Sequence, residues 1–105
     1  MTYCCTAFQN LLACAGERGT AVLVGFDSSG ELWFHLQSRG IAFEDEPKLK
    51  PTDIDITINI HAEMGLRYCP SCGRLLEKLL KQHKDFYAKL AKEHEKYLVG
   101  WVAKF

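Results

Sequence analysis

Cys69-Pro70-Ser71-Cys72-Gly73 constrains this chain more than any other stretch. Two thiols three positions apart, with proline and glycine around the turn, form one half of a tetrahedral zinc site. At that spacing both sulfurs reach one ion at about 2.3 Å while the backbone turns between them, and Gly73 permits a left-handed conformation there. The other half has to come from elsewhere. The remaining cysteines are Cys4, Cys5 and Cys14, all near the N-terminus, so a metal ion would tie the two ends of the chain together.

Spacing narrows the choice of partners. If a helix starts near Thr6, Cys14 lies roughly 13 Å along it from Cys5, too far for both to bind one ion. Either Cys4 and Cys5 act, or Cys14 does with a histidine. Adjacent cysteines can share a tetrahedral ion where the chain is still extended, and the residues just before a helix qualify. The leading set is therefore Cys4, Cys5, Cys69 and Cys72, with one of Cys4 or Cys5 beside His61 as the alternate. Cys14, near Leu11 and Ala15 on the apolar side of that helix, reads as a small core residue. A thiol redox pair at Cys69 and Cys72 is a further reading, since a helix opening there would lower a thiol pKa. A thioredoxin-like unit, however, needs a βαβ crossover, and here the strands precede the motif.

With 105 residues, 48% hydrophobic and 25% charged, the chain suits one domain over 1–105 that buries a core with little surplus stability, so a metal staple matters. No apolar run approaches the roughly 20 residues of a membrane span. The opening residues show no basic segment followed by an apolar one, so the expected location is the cytoplasm, where thiols stay reduced. An odd count of five cysteines agrees. Net charge is zero but unevenly spread. Residues 1–66 hold four Lys/Arg against nine Asp/Glu, and from Arg67 onward nine Lys/Arg face four acids. Such asymmetry fits two halves that attract each other, or a nucleic-acid face.

Phe8, Leu11, Leu12 and Ala15 recur at helical spacing over 6–18. Residues 20–26 and 31–37 read as a β-hairpin around the turn cluster Asp27 to Gly30, with Leu32, Phe34 and Leu36 on one face of the second strand. Trp33, His35 and Gln37 take the other face. A loop over 39–53 leads to a third strand in which Ile54, Ile56, Ile58 and Ile60 alternate with polar residues, one face core and one wet, ending near Met64 and Gly65. After Gly73 a helical pattern runs without proline or glycine over 74–98, and Leu76, His83, Leu90 and Tyr97 repeat every seven residues. A helix of about 37 Å exceeds the width of three strands, so its distal half is expected to find a partner, a second copy above all. The fold class is α+β: an N-terminal helix, a three-stranded antiparallel sheet, a cysteine knuckle and a long C-terminal helix.

Tyr68-Cys69-Pro70-Ser71-Cys72-Gly73-Arg74-Leu75-Leu76, with Cys4 and Cys5 near the start, resembles small bacterial and phage zinc-ribbon-like proteins. In these a C-terminal cysteine knuckle pairs with an N-terminal cysteine motif. The resemblance implies zinc and is silent on activity. No phosphate loop, nucleophile elbow or His-Glu-x-x-His is present in the sequence. The function expected is a non-enzymatic, zinc-stabilised interaction module of adaptor or inhibitor type, with a homodimer through the long helix as the expected assembly. Trp33, His35, Lys81, Lys92, Tyr97, Trp101 and Phe105 are the candidate contact residues. Nucleic-acid binding through Arg67, Arg74, Lys78, Lys81, Lys84, Lys89, Lys92 and Lys96 is the second class.

Overall fold

The computed structural model describes residues 2–48 and 61–98. Its elements run helix α1 (Thr6–Ala13), strands β1 (Gly19–Phe26), β2 (Leu32–Arg39) and β3 (His61–Leu66), then helices α2 (Leu76–Gln82) and α3 (Lys84–His94). Short 3-10 turns cover Phe43–Lys48 and Glu95–Tyr97. The sheet is an antiparallel meander in the order β1-β2-β3. The α+β class expected from the sequence is what is found.

Each element follows from local chemistry. Cys5 caps α1, its Sγ accepting the Phe8 N–H at 3.4 Å, and the chain leaves the helix at Cys14 before Gly16 at φ 82°. In the hairpin turn one oxygen of Asp27 accepts from the Ser29 N–H, the Ser29 hydroxyl and the Glu31 N–H, each at 2.9 Å. The other oxygen takes the Trp33 indole N–H at 2.6 Å. These donors hold the Asp27 carboxyl below the usual carboxylate range.

Opposite register partners Val24 and Phe34 share the face on which α1 and α3 lie. There Phe34 meets Phe8 and Tyr87 edge to face at 5.0 and 5.1 Å, and Phe8, Phe34 and Tyr87 are all fully buried. Leu76 and Leu79 of α2 close the same core.

Two expectations need correction. The helix over 74–98 is not continuous: it breaks at His83 (φ −128°, ψ 42°) into α2 and α3. The break re-phases the buried side, which on α3 is Tyr87, Ala91 and His94 rather than a seam of Leu90 and Tyr97. The distal half thereby packs on β1 of its own chain, so the length argument for a second copy no longer holds. The second correction concerns the back of the sheet, which is not uniformly wet. Ala21, Leu23, Gln37 and Arg39 are buried there. The Tyr97 carbonyl accepts from Gln37 Nε2 at 2.8 Å and Arg39 Nη1 at 3.3 Å, so the polar side chains enter with partners. Leu98 lies against Gly25, where an added Cβ would stand 2.8 Å from its Cδ1. The isoleucine alternation at 54–60 lies outside the described residues.

β1 is an edge strand, and α3 covers that edge. The Val24 N–H points away from β2 and is taken at 3.1 Å by Nδ1 of the buried His94.

Candidate metal centre

The two cysteine pairs arrive from opposite ends of the chain. Cys4 and Cys5 stand immediately before α1, with Cys5 in extended backbone as its cap. That segment is held from the other side by α3: the Tyr87 hydroxyl donates to the Thr2 carbonyl, and the Tyr3 ring meets Phe86 edge to face at 5.7 Å.

Cys69 and Cys72 sit on a tight turn between the bridged residues Tyr68 and Leu75. The Cys69 N–H donates to the Arg74 carbonyl and the Gly73 N–H to the Cys69 carbonyl, both at 2.9 Å. Gly73 takes φ 76°, the left-handed region that its missing Cβ makes accessible. Within the turn the N–H groups of Ser71 and Cys72 both point at Cys69 Sγ at 3.4 Å. Cys69 Sγ thus receives two backbone donors and Cys5 Sγ one.

The four sulfurs of Cys4, Cys5, Cys69 and Cys72 all lie within 4.8 Å of one another. The Cys5 and Cys69 sulfurs are 3.8 Å apart. A tetrahedral ion with ligands at about 2.3 Å has edges of about 3.8 Å, so that pair already has the required separation. It is nearly twice the length of a disulfide bond, and all five cysteines are free thiols. Cys69 is buried, Cys4 and Cys5 half-buried and Cys72 exposed. Burial, followed by the neighbouring Cys72 and Cys69 sulfurs, drives the Cys4 thiol far above its ordinary range. Crowded sulfurs cannot ionise together without a cation among them, and a bound dication supplies the missing charge. The group could hold one metal ion.

The other sequence candidates are placed elsewhere. Cys14 ends α1 outside the cluster, its thiol pushed up by a hydrogen bond to Glu17. His61 begins β3 opposite Arg39, at the end of the sheet away from Leu66, from which the chain runs toward Cys69. Nor do Cys69 and Cys72 open a helix, since α2 starts only at Leu76; the dipole argument for a redox pair therefore loses its basis.

Among the expected contact residues, Trp33 is 40% exposed and His35 is half-buried beside Gly25. Lys81 is exposed and paired with Glu77 at 3.1 Å, and Lys92 is exposed on α3. Tyr97 is half-buried, its ring edge to face with Phe43 at 5.2 Å. Trp101 and Phe105 lie outside the described residues. The basic residues of 74–96 divide between two helices at the His83 break instead of forming one straight stripe.

Two surface cavities were not foreseen. One, of about 520 Å³, lies between the β2–β3 end of the sheet and α2, with Trp33, Leu66, Arg67, Tyr68, Glu77 and Leu80 in its wall. The other, of about 530 Å³, has Cys4 in its wall together with Tyr3, Arg74, Lys78 and Gln82. Proximity in three dimensions creates both, and no local spacing announces it. No helix among the described residues is long and apolar enough to cross a membrane. In comparisons with protein-family models, curated proteins and solved structures, the chain finds no match.

Proposed function

We propose that Cys4, Cys5, Cys69 and Cys72 hold one structural zinc ion, and that the protein is a non-enzymatic interaction module whose fold this ion secures. The observation that carries the reading is the closed donor set: four sulfurs fill every position of a tetrahedral ion and leave none for water or substrate, the pattern of structural rather than catalytic zinc. A pure thiolate set also selects zinc over harder cations. When bound, the ion supplies a link between the segment before α1 and the turn before α2. The resemblance to zinc-ribbon-like proteins agrees with this assignment.

The binding work falls to the groove beside α2. Trp33 and Tyr68, 40% and 56% exposed, present aromatic surface there, and the Asp27 carboxylate fixes the Trp33 indole. Exposed aromatics beside a hollow lined by both apolar and charged side chains suit a protein partner.

Metal analysis of protein purified without added metal tests the zinc assignment. One zinc per chain is expected, lost in Cys4→Ser, Cys5→Ser, Cys69→Ser and Cys72→Ser and retained in Cys14→Ser. A metal-free protein with a reactive Cys69 thiol would sink it. For the groove, a partner captured by the wild type and lost by Trp33→Ala with Tyr68→Ala is expected, with zinc content unchanged.

A further inference from the structure

Among the described residues, the wall of the cavity beside Cys4 holds two cations and no carboxylate. Arg74 and Lys78 line it with Tyr3, Leu75, Leu79 and Gln82. Among the described residues the surface ion pair of α2 is Lys81 with Glu77, and neither Arg74 nor Lys78 has an acidic partner. Two positive charges with no acidic partner among the described residues thus face one hollow together with Cys4, a thiol of the metal centre, and the polar side chains of Tyr3 and Gln82.

Electrostatics decides what they are for. A zinc ion held by four thiolates carries two net negative charges. We propose that Arg74 and Lys78, which share a cavity wall with Cys4, are the charge partners of this centre, their two positive charges offsetting its two negative ones. The inference rests on the zinc reading above. An anion-binding pocket is the competing use of two cations. With the metal in place the local charge sums to zero, which leaves nothing to hold an anion. Both cations are exposed, so they would act on the half-buried Cys4 sulfur through space rather than by a fixed contact. Outer-shell partners hydrogen-bonded to metal ligands set affinity by about 10-fold to 100-fold, and charges acting without contact are expected at the lower end of that range.

The test uses the zinc-loaded protein and a chromogenic zinc chelator in competition, at low and high salt. Arg74→Gln with Lys78→Gln is expected to weaken zinc binding about 10-fold at low ionic strength. The charge-conserving Arg74→Lys with Lys78→Arg is expected to stay near wild type. At about 1 M salt, where screening acts within about 3 Å, the difference should largely vanish, which the loss of a packing role would not do. Equal zinc affinity of the wild type and the double Gln variant at low salt would overturn the inference while leaving the zinc reading intact. So would inorganic phosphate that raises the melting temperature of the zinc-loaded wild type but not of the double Gln variant, since the cations would then serve an anion. A wild type that takes up no zinc would overturn the metal reading itself, and this inference with it.

Discussion

The sulfurs of Cys5 and Cys69, 64 positions apart in the chain, lie 3.8 Å from each other. Nothing covalent joins them, so whatever holds them there also holds α1 to the turn before α2. Stripping metal from the purified protein is therefore expected to lower its melting temperature by tens of degrees, since zinc contributes on the order of 10 kcal/mol in small zinc-folded peptides. Circular dichroism melts with and without a chelator check this. An unchanged midpoint would mean that the apolar core alone secures the fold.

His94 predicts an acid limit. Burial lowers its pKa from the ordinary 6.5, only partly opposed by Glu93, and its Nδ1 must be unprotonated to accept the Val24 N–H. The unfolded chain then binds a proton more readily than the folded one. Stability from this site is complete above pH 6.5 and falls as pH drops below it, by up to about 1.4 kcal/mol per unit. Urea titrations between pH 7 and 5 should show that slope in the wild type, and a flatter one in His94→Gln. Parallel slopes would assign the acid sensitivity elsewhere.

Two glycines should respond differently to alanine. At Gly16 a Cβ points into the Tyr97 ring and the backbone is left-handed, so both crowding and strain act. At Gly25 the obstacle is the end of the Leu98 side chain, which can move. Gly16→Ala is expected to cost about 2 to 4 kcal/mol and Gly25→Ala about 1 kcal/mol, read from denaturant midpoints. The reverse order would refute the placement of Tyr97.

Tyr87 has separable parts. Tyr87→Phe keeps the ring against Phe34 and loses the bond to the Thr2 carbonyl, for about 1 kcal/mol. Tyr87→Ala removes a fully buried ring and is expected to cost about 3 to 5 kcal/mol. Hydrogen exchange should localise the milder effect to residues 2–5; a global loss of protection in Tyr87→Phe would contradict it.

What could be read in the sequence was whatever depends on near neighbours or fixed chemistry. Phe8 and Leu12 mark the inner side of α1, Asp27 to Gly30 mark the hairpin turn, and four thiols in two close pairs mark the group that could hold a metal ion. What escaped depends on partners distant in sequence. Nothing near His83 breaks a helix; the bend there lets Tyr87 and His94 reach β1. Gln37 and Arg39 look like solvent-facing residues until the Tyr97 carbonyl, about sixty residues later, satisfies them. Arg74 and Lys78 read as phosphate contacts by charge alone, and only the fold sets them beside Cys4. The third strand was expected mainly at the isoleucines, while β3 as described is His61–Leu66.

The distance in sequence between the two cysteine pairs also orders events at the ribosome. Cys4 and Cys5 are made first and have no partners until Cys72 has emerged, about 3 to 13 s later at ordinary elongation rates. Through that interval α1 lacks the turn that fastens it, and the early thiols are open to any competing metal or oxidant. Translation must pass Cys72 before the four thiols can meet.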